Sequence, residues 1–341
     1  MSNALKLINS YFQHRTFSTT INNTHSSPRE LLHGVPQGSL LGPLFYVLYT
    51  HEIEEIVLKY GLSIQTYADD CQIYASFYDN EKEEIERLIK HCLDEIQSWM
   101  KANFLKLNAD KTVVKLFRHK KSLLTDFNSI GETTEGPIKI LGASINDVWN
   151  YNEFISKKVQ TCNFHLRNLC NIKDCLDVPT RILLVTNLIL STVDYCNILL
   201  LGATDLALRP LRLVINKAIR FIYNLKIRQH ITPYYKRTHF LPIQQRIKFK
   251  ASLIAYKIFN GQAPKYFDYD FKKFIPTSNM ALRESSGRDR YMFSPDGSEF
   301  KNKKLTTLIK NQWNSLSIEL RKVSTISTFK TQLKTFLFSK V

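Results

Sequence analysis

The amino-acid sequence predicts an α+β unit followed by a mostly helical, basic unit. Alternating hydrophobicity and turn residues are concentrated in the first 150 residues, and helical periodicity takes over beyond them. Charge divides at the same place. Residues 1 to 150 hold 15 Lys and Arg against 18 Asp and Glu, a net of −3, whereas residues 151 to 341 hold 32 against 12, a net of +20.

The first part opens on a short helical pattern of Leu5, Leu7, Ile8, Tyr11 and Phe12, followed by a polar turn at Ile21-Asn22-Asn23-Thr24. Next comes the loop Gly34-Val35-Pro36-Gln37-Gly38-Ser39, in which Ser39 is placed to cap a helix running through Leu44, Val47, Leu48, His51, Ile53 and Ile56 and ending near Gly61. From Leu62 to Ala75 the pattern alternates, which predicts a β-hairpin with Ala68, Asp69 and Asp70 at or near its tip. Ile85, Leu88, Ile89, Cys92, Leu93, Ile96, Trp99 and Met100 recur at helical spacing, so residues 80 to 102 form an amphipathic helix covering one face of a sheet. Two further strands are expected at Thr112 to Phe117 and Ile138 to Ile145. Helices are expected at roughly 152–174, 178–200, 210–224, 241–260 and 303–337, with Pro210 suited to a helix start and breaks near Pro233 and Pro264.

Composition narrows the functional classes. A chain that is 44% apolar and 12% aromatic, with 11 Gly and 11 Pro in 341 residues, is composed like a folded protein with room for two cores. The six cysteines, Cys71, Cys92, Cys162, Cys170, Cys175 and Cys196, form no C-x-x-C pair, which argues against a disulfide framework or structural zinc and for a reducing compartment. Met1 to Thr20 lacks the layout of a signal segment. The most apolar stretch, Ile182 to Leu201, is interrupted by Asn187, Asp194 and Asn197 and reads as a buried helix. The expectation is a soluble intracellular protein with no membrane partner. The basic second part suits a polyanion, with a solubility charge or a membrane-surface patch as the plainer alternative.

The residues with most chemical content are Asp69 and Asp70. Adjacent carboxylates at a turn raise each other's pKa unless a cation neutralises them, and Mg²⁺ is commonly held by one or two carboxylates together with substrate phosphates. In isolation such a pair is a common solvated turn. Its companions change that reading. In chain order stand Gly34-Val35-Pro36-Gln37-Gly38-Ser39, Tyr67-Ala68-Asp69-Asp70, Leu107-Asn108-Ala109-Asp110-Lys111-Thr112 and Ile140-Leu141-Gly142. Trp99-Met100 with Asn103 and Leu105, and Trp313-Asn314-Ser315-Leu316 near the end, join the series.

In wording and spacing this series resembles the later palm motifs of reverse transcriptases from non-LTR retrotransposons, especially of the jockey and CR1 type. The resemblance implies part of a right-hand polymerase palm over residues 1–148, an antiparallel sheet with packed helices. A basic helical thumb over 149–275 and a C-terminal helical extension over 276–341 follow from it. It implies RNA-directed DNA polymerisation by a two-metal mechanism with Mg²⁺ or Mn²⁺, acting on an RNA template, an RNA/DNA hybrid and deoxynucleoside triphosphates. Asp69 would be the principal metal ligand and Asp70 a weaker one. Tyr67 would pack beneath the hairpin or be an ordinary strand aromatic. Gly34, Gln37, Gly38 and Ser39 would contact nucleotide or template, or simply shape a helix start. Lys111 would approach the triphosphate or be a solvated loop lysine. Leu141 and Gly142 would form the primer grip, with Gly142 serving backbone geometry. Arg212, Lys217, Arg220, Lys226 and Arg228, interleaved with Phe221 and Tyr223, would meet the nucleic-acid backbone as a cluster.

The pattern departs from the family in two places. No Asp occurs in the first 33 residues, where the partner aspartate of the metal site is expected, and Glu30 is the only acid there. His51-Glu52 stands where Asn-Asp is common. The sequence therefore predicts that these 341 residues, lacking that aspartate and the fingers, do not polymerise by themselves. A non-catalytic nucleic-acid-binding protein derived from a retrotransposon is the alternative.

Overall fold

A computed structural model describes residues 3–32, 34–35, 38–117, 136–145, 151–273, 292–293 and 304–340. The backbone separates into two compact units, residues 1–135 and 136–341. Each unit has its own core.

The first unit begins with α1 (Asn3–Phe12), whose Tyr11 and Phe12 rings pack on Phe45 at 5.3 and 5.1 Å. Strands β1 (Thr16–Phe17) and β4 (Arg29–Glu30) pair around the inner ribbon of β2 (Thr20–Ile21) and β3 (Thr24–His25). Asn22 and Asn23 close that inner ribbon at φ 47° and 62°, a left-handed pair that asparagine tolerates and a two-residue hairpin needs. The helix expected through residues 44–56 is two helices, α2 (Gly42–Tyr49) and α3 (His51–Lys59), with Thr50 between them. Ser39 does not cap α2. Leu41 occupies the N-cap, Pro43 pre-sets the first turn, and the Thr50 hydroxyl bonds back to the Tyr46 carbonyl where the helices part.

Strands β5 (Ser63–Tyr67) and β6 (Asp70–Tyr74) form the expected hairpin, and α4 (Lys82–Ala102) lies where the periodicity places a helix. Ile53 and Val57 of α3, Leu62, and Cys92 and Ile96 of α4 make a small core, against which Ile64 and Ile73, a facing pair of the hairpin, are packed. The helix therefore covers one face of the ribbon, as its apolar stripe requires. Trp99 donates its indole N–H to Glu52, and the Tyr49 hydroxyl donates to the Asn103 carbonyl at 2.6 Å, so α4 is held to both helices before the hairpin. The strand expected at Thr112 to Phe117 reduces, among the described residues, to a bridge at Val114. Leu116 is buried there against Phe77, Ile89 and Leu93, so packing helps to hold this segment.

The second unit opens on another hairpin, β7 (Ile138–Ile140) and β8 (Ala143–Ile145), where a single strand was expected. The helix α5 (Asn152–Asn171) follows. The helix expected at 178–200 is broken into α6 (Val178–Leu184), a π-helical turn (Val185–Leu190), α7 (Ser191–Asp194) and a 3₁₀ turn (Asn197–Leu200). Hydroxyls explain the irregularity: Thr186, Ser191 and Thr192 each donate to the carbonyl four residues back, competing with the helical ladder. Asp177 caps α6 by accepting from the Thr180 amide at 2.9 Å.

Helix α8 (Asp205–Tyr223) starts five residues before the expected Pro210, which lies inside it, because Thr204 caps the helix by accepting from the Ala207 amide. Helix α9 (Thr232–Arg237) carries Pro233 in its first turn, and α10 (Ile243–Phe259) lies as expected. The tail, expected as one helix, is three: α11 (Leu305–Asn314), α12 (Ile318–Arg321) and α13 (Ile326–Phe338). The breaks allow Trp313, Leu316, Leu320, Phe329, Leu333 and Leu337 to converge on Tyr256 and Phe259, which a straight helix cannot do. Trp313 stacks on Phe259 at 5.3 Å, and Asn314 clamps Phe293 by accepting from its amide and donating to its carbonyl, both at 3.0 Å. The Trp-Asn-Ser-Leu signature is thus a core motif. Among the described residues all strands pair as antiparallel two-stranded ribbons, and no helix is long and apolar enough to cross a membrane.

Two outcomes are expected. Trp313→Ala should lower stability by about 3–5 kcal/mol, read as a fall in urea midpoint, and an unchanged midpoint would contradict the core assignment. In native-state alkylation, the exposed Cys170 and Cys175 should react near neutral pH, whereas Cys92 and Cys162 should not. Burial pushes both of the latter thiols up to about 11, with Glu95 adding to the effect at Cys92 and Lys158 opposing it at Cys162. Peptide mapping that found the two buried cysteines labelled first would refute this.

Candidate active site

The β5–β6 register pairs Tyr67 with Asp70 and leaves Ala68 and Asp69 as a two-residue turn. Ala68 has φ 52°, the left-handed conformation that tight hairpins impose on a central residue and that favours glycine or asparagine. Asp69 therefore stands at the tip and Asp70 is the first residue of the returning strand. Both carboxylates are exposed. Tyr67 is 66% exposed, so it does not pack beneath the hairpin.

Their charge reaches the neighbours. The Cys71 thiol is pushed up, first by desolvation and then by Asp70 and Asp69. Burial pushes the Tyr46 phenol up as well, with the charges of Cys71 and Asp69 adding to it. Tyr46 belongs to α2, the helix after the glycine-bearing loop, so this helix lies within electrostatic reach of the acidic hairpin. No local pattern marks Tyr46 in the sequence, because only the packing of α2 brings it to the hairpin.

The loop itself is held from below. Gly34 and Gly38 adopt φ 73° and 79°, with nothing within 4 Å of where a Cβ would stand, so backbone conformation and not space selects glycine at both. Arg15 donates to the Gly34 carbonyl at 2.6 Å, and the Ser39 and Tyr11 hydroxyls share a hydrogen bond of 2.5 Å. Gln37 lies outside the described residues. Lys111 ends a 3₁₀ turn (Ala109–Lys111) and is exposed, and among the described residues no hydrogen bond or ion pair joins it to either carboxylate.

In the second unit, Leu141 and Gly142 are the two central residues of the β7–β8 turn, at φ 45° and 81°. Two consecutive positive φ values make this a type I′ turn. The Tyr195 hydroxyl donates to the Leu141 carbonyl, and the Tyr195 ring lies 3.3 Å from where a Gly142 Cβ would stand. Of the basic cluster, Arg212, Lys217, Lys226 and Arg228 are exposed, with Lys217 donating to Asn163 at 3.3 Å. Arg220 turns inward and donates to the carbonyls of Ile227 (2.9 Å) and Gln229 (3.3 Å), fastening the loop after α8. Phe221 is buried in the core and is not available for stacking, whereas Tyr223 is half-buried beside Tyr234 at 4.9 Å.

Two adjacent carboxylates on a rigid turn can contribute to a divalent-cation site whose other ligands are waters and substrate phosphates. They do not form a protein cage: among the described residues no group of three or more His, Cys, Asp or Glu side chains is arranged to hold a metal.

Ala68→Val should lower the stability of residues 1–135 by about 1–2 kcal/mol, since a β-branched residue resists the left-handed turn, while Ala68→Gly should not. Amide exchange along β5 and β6 reads this, and full tolerance of valine would contradict the turn geometry.

Comparison with known proteins places the hairpin in context. Residues 2–145 match the family described as reverse transcriptase (RNA-dependent DNA polymerase). The chain is 33% identical over 119 residues to the probable RNA-directed DNA polymerase from transposon BS of Drosophila melanogaster, covering 33% of this chain and 13% of that protein. It is 42% identical over 73 residues to the probable RNA-directed DNA polymerase from transposon X-element of the same species, covering 20% and 8%. Against the RNA-directed DNA polymerase from mobile element jockey of Drosophila funebris it is 32% identical over 111 residues, covering 31% and 12%. The matched segments thus span only a small part of these relatives' length. No solved structure matches the chain. With the acidic hairpin and the glycine-bearing loop both inside the matched stretch, residues 2–145 belong to the reverse transcriptase family and are distantly related to the enzymes of the jockey, BS and X-element retrotransposons.

Proposed function

We propose that the chain is part of an RNA-directed DNA polymerase of a non-LTR retrotransposon, and that residues 1–341 alone bind nucleic acid without polymerising it. The observation that carries this reading is the hairpin tip, where Asp69 and Asp70 are exposed side by side within the stretch that matches the reverse transcriptase family. Asp69 and Asp70 would hold the divalent ions, Mg²⁺ or Mn²⁺. When bound, such ions activate a primer 3′-hydroxyl and steady the departing pyrophosphate. What the chain itself contributes is placement: the tight turn sets Asp69 at the tip and Asp70 at the start of the returning strand, and α4 packs against the hairpin. Lys111 would neutralise triphosphate charge. The Leu141-Gly142 turn, braced by Tyr195, would support the primer end, and the exposed cations among Arg212, Lys217, Lys226 and Arg228 would meet the phosphates of template and primer. Residues 1–148 would form the palm portion, 149–275 the thumb and 276–341 the extension.

The second reading is a nucleic-acid-binding protein without catalysis. It is favoured by the lack, among the described residues, of a third ligand beside the acidic pair, and by the +20 charge of the second half.

Primer extension on a homopolymer RNA template with a DNA primer and Mg²⁺ or Mn²⁺ tests the inactivity that both readings expect. The 341-residue chain should give no template-dependent incorporation. Incorporation that vanishes in Asp69→Ala would overturn the inactivity and establish the polymerase directly. Binding to the same RNA/DNA hybrid should weaken steeply as salt rises, and affinity indifferent to salt would remove nucleic acid as the partner in both readings.

A further inference from the structure

From Leu206 to Phe267 the chain runs for 62 residues without a single Asp or Glu while carrying 13 Lys and Arg. Residues 229–237 of this run border an open cleft of about 590 Å³, lined by Gln229, His230, Pro233, Tyr234 and Arg237. That volume lies within the range of small-ligand sites. The walls have a definite chemistry. Tyr234 pairs with Tyr223 at 4.9 Å, and the Arg237 guanidinium sits 5.8 Å from the Tyr223 ring and 6.0 Å from the Tyr234 ring. Arg220 fixes the floor through the Gln229 carbonyl, and the Gln229 side chain accepts from the Lys226 amide at 2.7 Å. The loop is thereby held in shape before any ligand arrives.

We propose that this cleft takes an unpaired nucleotide of a single-stranded nucleic acid, its base entering beside Tyr234 and Pro233 and its phosphates meeting Arg237, Lys226 and Arg228. A concave, aromatic, cationic site discriminates in a way that a flat basic face does not. A duplex keeps its bases stacked inside and offers only phosphates, whereas a single strand can place a base against an aromatic ring. The preformed arginine–tyrosine cluster adds a planar cation to the same wall. This proposal rests on the nucleic-acid reading above but assigns a site and a strand preference that the reading does not contain.

The test is fluorescence anisotropy on the full 341-residue chain at fixed salt, with labelled 12-nucleotide oligouridine, 12-nucleotide oligothymidine and a 12-base-pair RNA duplex. Both single strands should bind more tightly than the duplex. Tyr234→Ala should weaken them at least about fivefold, the lower end of about 1–3 kcal/mol per stacked base, and leave the duplex within about twofold. Tyr234→Phe should retain binding. Because Tyr234 also packs on the core, Arg237→Ala is the companion variant: Arg237 is exposed, and its loss should again weaken the single strands selectively. Equal losses for single strand and duplex, or no loss in either variant, would overturn the cleft while leaving general nucleic-acid binding intact. Negligible binding of all three probes would overturn the underlying reading as well.

Discussion

A buried ammonium holds the second unit together. Lys158, on α5, donates to the Tyr195 carbonyl at 2.7 Å and to the Thr192 carbonyl, and lies 4.5 Å from the Phe154 ring. These are the carbonyls left without helical partners where α7 ends and Cys196 turns left-handed at φ 51°. Burial pulls the Lys158 pKa below the ordinary lysine range, while Cys196, Cys162 and Asp194 act to keep it charged. Beside it, Asp194 accepts from Arg246 of α10, with Nε at 2.7 Å from Oδ1, so one short turn ties α5, α7 and α10. Removing Lys158 would take away the donor shared by the Thr192 and Tyr195 carbonyls, which is more damaging than never having had it. Tyr195, the residue at this turn, also supplies the hydroxyl that braces the Leu141-Gly142 hairpin. The interior that organises the helices therefore also sets the β7–β8 turn.

The first unit relies on a different constraint. Its core is small, and the hairpin carrying Asp69 and Asp70 exposes the tip while burying one face at Ile64 and Ile73. A two-residue turn allows little variation in how the two carboxylates approach each other, so backbone geometry does the work that a larger core would otherwise do. Burial is the first reason that the Tyr46 and Cys71 acid groups are hard to ionise, and nearby charges add to it, Cys71 and Asp69 at Tyr46 and Asp70 and Asp69 at Cys71.

Charge is distributed to match. Acidic residues collect in the first unit, on α3 and α4 as well as at the hairpin tip, and the 62-residue stretch from Leu206 to Phe267 has none. Such a stretch has no internal carboxylate with which to neutralise its cations. Arg220 shows that some of the cations turn inward to carbonyls, but Arg212, Lys226, Arg228 and Arg237 face solvent. The resulting field attracts polyanions, and the cleft beside Tyr234 adds shape to it.

Much of this was legible in the chain itself. Periodicity located α4, α5 and α10, because each buries a continuous stripe, and alternation located the hairpin with Asp69 at its tip, because period 2 survives in a ribbon buried on one face. The motif series resembled the palm of reverse transcriptases over residues 1–148, and the family match covers 2–145, since short turns and glycine-bearing loops demand particular residues at particular spacings. Local pattern could not show that Ser39 leaves the capping of α2 to Leu41 and bonds to Tyr11, that Arg220 staples a loop, or that Phe221 is core. Nor could it show the breaks in the tail: the apolar residues of 303–337 fit one helix equally well until Tyr256 and Phe259 supply a curved surface to cover. The identity of the turn and of the family was written in backbone chemistry that acts between neighbours. The role of Tyr46, the Lys158 knot and the cleft at Tyr234 depend on side chains far apart in sequence, and only packing in three dimensions could bring them together.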